Sequence, residues 1–310
     1  MDEYELIQVP VHGGELTVAR WGGGPVTVVG VHGISASHRA WSAVGEHLDG
    51  ITLVAPDLRG RGASGGLSGP FGMAAHARDV LSVIDHFGQR QVVVTGHSMG
   101  GYVVLELAAV APERVSSVVL VDGGLAAPLP PGADIDGLLE ATLGPALARL
   151  RRSFESRDAY LDFWKEHPAF KETGCWNEHV EAYLDYDLSG EAPELRSRVS
   201  EQAVIEDGRE VLSGAGGWEN LSSISCPVSL LRAPRGLLNQ SEPLIADALV
   251  ERARRKLSSL SDEIVPDCNH YTLMFERRAV LAVARGIRRA AERVDHHQEA
   301  AAHERNEGLR

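Results

Sequence analysis

Four short apolar runs alternate with three stretches of helical pattern in the first 124 residues, and this alternation constrains the fold more than any other feature. "PVTVVGVHG" (Pro25–Gly33), "ITLVAPD" (Ile51–Asp57), Gln91–Thr95 and "RVSSVVLVDGG" (Arg114–Gly124) are nearly continuous in apolar residues. Such runs mark strands buried on both faces. Between them, Ser37–Leu48, Met73–Phe87 and Met99–Val110 read as helices. Met73–Phe87 places Ala74, Val80, Leu81 and Ile84 on or near one face. Glu5–Pro10 and Glu15–Trp21 precede this as a hairpin turning at His12-Gly13-Gly14. Strict β–α alternation implies an α/β fold: a mostly parallel central sheet flanked by helices, with right-handed crossovers.

After Gly124 the alternation stops. Residues 125–219 are helical and irregular, and hold most of the aromatics, among them Phe154, Tyr160, Trp164, Trp176, Tyr183 and Trp218. The sheet pattern resumes at "SCPVSLLRAP" (Ser225–Pro234). A helix over Pro243–Leu257, a short strand near Asp262–Pro266 and a last helix over Phe275–Arg293 follow. The expected organisation is a core made of 1–124 and 220–295, an inserted mainly helical cap over 125–219, and a polar tail over 296–310 that frays.

A net charge of −13, from 43 acidic against 30 basic residues, argues against nucleic acid or an anionic membrane as partner. Cys175, Cys226 and Cys268 are too few and too scattered for a disulfide framework or a zinc site. The N-terminus "MDEYELIQVP" has no apolar signal segment, and no apolar run reaches the length of a membrane span. The expectation is a soluble cytoplasmic protein acting on a small molecule with no cofactor and no metal. A homo-oligomer is compatible with this, and the oligomeric state stays open.

The joint between Gln91–Thr95 and Met99–Val110 carries Gly96-His97-Ser98-Met99-Gly100. A serine on a sharp strand-to-helix turn needs small residues two positions to either side, and both are glycine. The helix that follows directs its N-terminal N–H groups at developing negative charge. Ser98 is the candidate nucleophile. A hydroxyl needs a base to take its proton, and His270, in "DCNHYTLMF" after the last short strand, falls at the same edge of the sheet. His97, beside the serine in sequence, is read as packing or orienting. An oxyanion hole needs two preorganised donors. The candidates are the backbone N–H groups of Met99 and of Ile34, which follows His32-Gly33 after the first buried strand.

These segments, with "VHGISASHRAW" (Val31–Trp41), "APDLRGRGAS" (Ala55–Ser64), "LVDGG" (Leu120–Gly124) and "NHYT" (Asn269–Thr272), resemble in order and spacing the capped, cofactor-independent α/β-hydrolases. The resemblance covers the two sheet portions. It implies a Ser-His-acid triad and acyl transfer to water. Most relatives carry the acid after the strand equivalent to Val228–Arg232, where this chain has "LLRAPRGLLNQSEP" with Arg235-Gly236 at the expected place. Some relatives carry it one strand earlier, where Asp122 stands. Glu242 and Asn239 are the alternatives. Serine rather than aspartate at the elbow argues against epoxide hydrolysis and dehalogenation.

The expected reaction is hydrolysis of a carboxylic ester or lactone of a small apolar or aromatic substrate. Trp164, Trp176 and Trp218 are candidates for its contacts, although the cap aromatics can equally be the cap's own core. Two other readings stay open. One is a carbon–carbon bond hydrolase of a diketone-type substrate; these often carry Asn where His97 stands. The other is a ligand-binding, receptor-like descendant with little turnover, suggested by the displaced acid.

Overall fold

The computed structural model describes residues 4–126, 129–130, 132–214 and 217–307, with 294–307 as backbone only. In chain order the elements are β1 (Tyr4–Val11), β2 (Gly14–Trp21), β3 (Val26–Val31), α1 (Ser42–Gly45), β4 (Ile51–Pro56), α2 (Met73–His86), β5 (Val92–His97), α3 (Met99–Val110) and β6 (Val115–Val121). Then come α4 (Ile135–Leu150), α5 (Arg157–Lys165), α6 (Pro168–Lys171), α7 (Glu178–Asp187), β7 (Leu188–Ser189), β8 (Arg196–Ser197), α8 (Glu201–Ser213) and α9 (Gly217–Asn220). The chain closes with β9 (Val228–Arg232), α10 (Asp247–Arg254), β10 (Leu260–Ile264) and α11 (Arg277–Glu307).

Eight strands form one sheet in the order β1-β2-β4-β3-β5-β6-β9-β10. The β1–β2 hairpin and the β2–β4 pair are antiparallel, and every later pair is parallel. β4 and β5 are buried at every residue, which is why their sequences are continuously apolar rather than alternating. Two apolar layers cover the faces. One packs α11 and α1 against Val28, Val93, Val119 and Leu231; the other packs α2, α3 and α10 against Val29, Val94, Leu120 and Leu230. Residues with side chains on alternate faces of one strand, such as Val28 and Val29, thus enter different layers.

Two expected elements differ. Ser37–Leu48 is a 3-10 turn over His38–Trp41 followed by the single α-turn α1, rather than one helix. The last helix does not stop at Arg293; its backbone continues to Glu307, through a stretch that holds three Ala and three Glu, good helix formers. The side chains of the polar tail lie outside the described residues.

Residues between β6 and β9 build the cap. Phe154, Tyr160, Trp164, Phe170, Tyr183 and Leu184 are buried together within it, with Phe154 edge-on to Tyr160 at 4.8 Å between ring centroids. The cap is fastened to the sheet by buried polar contacts. Asp207 of α8 meets Arg61 at 2.6 Å, His76 of α2 at 2.9 Å and the Gly72 N–H at 2.6 Å. The Tyr186 hydroxyl of α7 donates to Asp57 at 2.6 Å.

Candidate active site

β5 is entirely buried and α3 begins one residue after it. The chain reverses direction at Ser98, which sits at φ 55°, ψ −122°. A non-glycine residue held there is strained, and the surroundings must over-determine it. They do so by close backbone approach. A Cβ on Gly96 would stand 2.2 Å from the Gly100 carbonyl oxygen, and one on Gly100 would stand 2.1 Å from the Val31 carbonyl oxygen. The Ser98 N–H donates to the Val121 carbonyl at 3.0 Å, pinning the elbow to β6.

His270 lies between β10 and α11, nearly buried, with its Nδ1 2.8 Å from Asp122 Oδ2. Asp122 follows β6 and is fully buried. Its backbone has φ 44°, its N–H donates to Leu231 O at 2.8 Å, and its Oδ1 accepts from the Ala233 N–H at 3.2 Å. Asp122 is therefore held by its place at the end of β6 and by the end of β9 as well as by the imidazole. Bonding at Nδ1 leaves Nε2 as the basic nitrogen of the neutral ring. Glu242 is exposed and accepts from Ser241. Asn239 bonds Glu172 and Asn269. Of the three acid candidates, Asp122 is the one bonded to the imidazole.

Two further histidines fix this frame. His97 stacks on His270 at 4.7 Å, and its Nε2–H donates to the His270 carbonyl at 3.1 Å. Burial, then the neighbouring His270, hold the His97 pKa well below its ordinary value, so the ring stays neutral. The expected orienting part of His97 corresponds to this contact. His32 donates from Nδ1 to the Gly33 carbonyl at 2.8 Å and accepts the Leu58 N–H on Nε2 at 3.0 Å. Burial pushes its pKa down to about 4. It thereby fixes the turn Gly33–Ile34 directly over the serine: a Cβ on Gly33 would touch Ser98 Cβ at 3.1 Å. The Ile34 carbonyl accepts from the fully buried Arg61 Nε at 2.9 Å.

Ser98, His270, Ile34 and Met99 all border one cavity of about 400 Å³ between sheet edge and cap. Of the three tryptophans, Trp164 lines it. Trp176 and Trp218, the other two candidates for substrate contacts, do not. Trp176 packs on Phe170 on the other side of the cap interior and donates to Glu181 at 2.8 Å. Trp218 is buried against the α3 and α10 side of the sheet, under Arg252, beside a separate small cavity. Their aromatic bulk serves packing. Sequence reasoning missed α4, whose Thr142, Pro145, Ala146 and Arg149 form the cavity roof, and also His167, Tyr183 and Tyr271. The signal was present: those four α4 positions are spaced as one helical face.

No group of three or more His, Cys, Asp or Glu side chains among the described residues is arranged to hold a metal ion. No helix among them is long and apolar enough to cross a membrane.

Residues 26–276 match the alpha/beta hydrolase fold family. Lipase LipV of Mycobacterium tuberculosis is 28% identical over 283 residues, covering 87% of this chain and 97% of the lipase. Esterase Rv0045c of the same organism is 24% identical over 294 residues, covering 89% of this chain and 87% of the esterase. Among solved structures, an E-2-(acetamidomethylene)succinate hydrolase superposes with a TM-score of 0.74 at 20% identity, over 90% of this chain and 97% of that one. A thioesterase domain from the curacin biosynthetic pathway gives 0.72 at 20% identity, over 92% and 98%. With the sharp strand-to-helix turn at Ser98, the sheet order and the family match in agreement, the chain belongs to the alpha/beta hydrolase fold family.

Proposed function

We propose that the protein is a serine hydrolase that cleaves a carboxylic ester or lactone of a small apolar substrate. The observation that carries this reading is the 2.8 Å contact between His270 Nδ1 and a fully buried Asp122, on the same cavity as an elbow serine at φ 55°. Ser98 Oγ attacks the carbonyl carbon while His270 Nε2 accepts its proton. Asp122 keeps the imidazole in the required tautomer and stabilises the imidazolium. The oxyanion is met by the N–H groups of Ile34 and Met99. His270 returns the proton to the leaving alcohol, and water then enters by the same route to release the acid and restore Ser98. The lipase and esterase relatives support ester hydrolysis. A buried carboxylate bonded to the imidazole, Asp122, supports turnover over the receptor-like reading.

The test is turnover of p-nitrophenyl butyrate together with labelling by a fluorescent phosphonate. Wild type turns over and is labelled; Ser98→Ala loses both, with a drop of about 10⁴-fold or more in kcat. Near-normal turnover by the alanine variant overturns the mechanism.

A further inference from the structure

The cavity has a second chemical pole, on the cap side, made by Arg149. This arginine is 2% exposed and lines the cavity from the C-terminal end of α4. One nitrogen, Nη1, is fully engaged: its two hydrogens are shared among Asp187 Oδ2, the Tyr160 hydroxyl at 2.8 Å and Ser197 Oγ at 3.2 Å. Nε, by contrast, is buried without a hydrogen-bond partner. An orphaned buried donor is costly, so it marks a place where a partner is expected.

The pole is joined to the chemical centre by a short path of rings. The guanidinium lies 5.2 Å over Trp164, Trp164 is 6.0 Å from Tyr271, and Tyr271 is 5.8 Å from the His270 imidazole. His167 lies 5.3 Å from both Trp164 and Tyr271. Its Nδ1 accepts the Ala169 N–H at 3.2 Å, so Nε2 carries the proton of the neutral ring. Burial and then the Arg149 charge bring the His167 pKa down to about 4. Burial keeps the cavity-lining hydroxyls of Tyr183 and Tyr271 protonated. The polar groups at this end can each donate a hydrogen bond, and none of the described residues lining the cavity is Asp or Glu.

Charge decides which acceptor fits. Asp187 already neutralises Arg149, and His167 is uncharged at neutral pH. A carboxylate placed here would be a buried charge with no counter-charge of its own. We propose that the Arg149 pole is a specificity subsite for an uncharged hydrogen-bond acceptor, such as a ketone, amide or ring oxygen, at the end of the substrate remote from the scissile carbonyl. This deepens the serine-hydrolase reading and rests on it.

The test uses p-nitrophenyl esters of equal length: octanoate, 7-oxooctanoate and the suberate half-ester. In wild type, kcat/KM for the keto ester exceeds that for octanoate about tenfold, as one buried hydrogen bond allows, and the half-ester falls below both. In Arg149→Met the ratio of keto to plain ester collapses toward one, chiefly through KM. The wild-type ranking needs no variant, so a misfolded Arg149→Met leaves the proposal decidable; His167→Phe then serves as the second variant and also lowers the ratio. Equal rates for keto and plain esters in wild type, or a preference for the half-ester, overturn the proposal. Failure to turn over any ester, with no labelling of Ser98, overturns the serine-hydrolase reading instead.

Discussion

The sheet edge and the cap hold polar groups in place by different means. At the sheet edge the backbone does the positioning. Ser98 and Asp122 both sit at positive φ, on residues that end parallel strands and bond to neighbouring strands. In the cap the side chains position one another. Arg149 is placed by Asp187, Tyr160 and Ser197, and the cap itself is placed by Asp207 on Arg61 and His76. Groups fixed by backbone keep their location when their chemistry is changed. Groups fixed by one another do not.

Asp122→Asn tests the first half of that contrast. Asparagine has the same shape, and the Ala233 N–H and the turn after β6 remain to hold it. Turnover should fall about 10⁴-fold, as loss of the correct imidazole tautomer does elsewhere. Circular dichroism and the urea midpoint should stay close to wild type. Glu242→Gln, on an exposed side chain bonded to Ser241, is the control and should leave kcat near wild type. A large loss with Glu242→Gln and a small one with Asp122→Asn would break the assignment.

Asp207→Ala tests the second half. It leaves Arg61 buried with its carboxylate gone, and breaking a buried pair costs about 3–5 kcal/mol. The cost should appear as a lower urea midpoint. Because Arg61 also donates to the Ile34 carbonyl, the same change should disturb the Gly33–Ile34 turn, the proposed oxyanion loop, and lower kcat. A midpoint unchanged by this substitution would show that the cap is not held by side-chain pairing.

This difference also explains what could be read from the sequence. The elbow was legible because its backbone demands glycine at positions 96 and 100, where a side chain would collide with main chain. The strands were legible because burial on both faces forces continuous apolar runs. The acid was harder, since Asp122, Glu242 and Asn239 all lie in loops at one edge, and only the contact with His270 separates them. The Arg149 pole was illegible for a stronger reason. Its members come from α4, α5, the residue before α6, α7 and the loop before α11, and no local pattern in one of them announces the others. The same holds for the tryptophans: composition marks an aromatic cap but not which ring faces inward.

Proton linkage sharpens the contrast from another side. His32 is fully buried beneath the Gly33–Ile34 turn, and burial lowers its pKa from 6.5 to about 4. The unfolded chain takes up this proton near pH 6.5 while the native state resists it. Below that pH the unfolded state therefore binds more protons, and stability falls as pH falls. The loss from this one group is about 3 kcal/mol between pH 6.5 and pH 4. Urea midpoints measured across that range should decline, and His32→Gln should reduce the slope. A flat wild-type profile would mean that His32 is not held neutral.

The smallest expected effects distinguish the three tryptophans. Trp164 borders the cavity and carries Arg149 over its ring. Trp164→Phe keeps an apolar ring but reshapes the wall, so KM for p-nitrophenyl esters should rise several-fold while kcat changes less, the pattern of lost uniform binding. Trp176 lies behind Phe170 and holds Glu181. Trp218 sits across the sheet under Arg252. Trp176→Phe and Trp218→Phe should leave KM within about twofold of wild type and show their cost, if any, in the urea midpoint instead. A KM effect at Trp176 equal to that at Trp164 would mean that the cap repacks around substrate. The side-chain-positioned half of the molecule would then be mobile during turnover, whereas the backbone-positioned half would not.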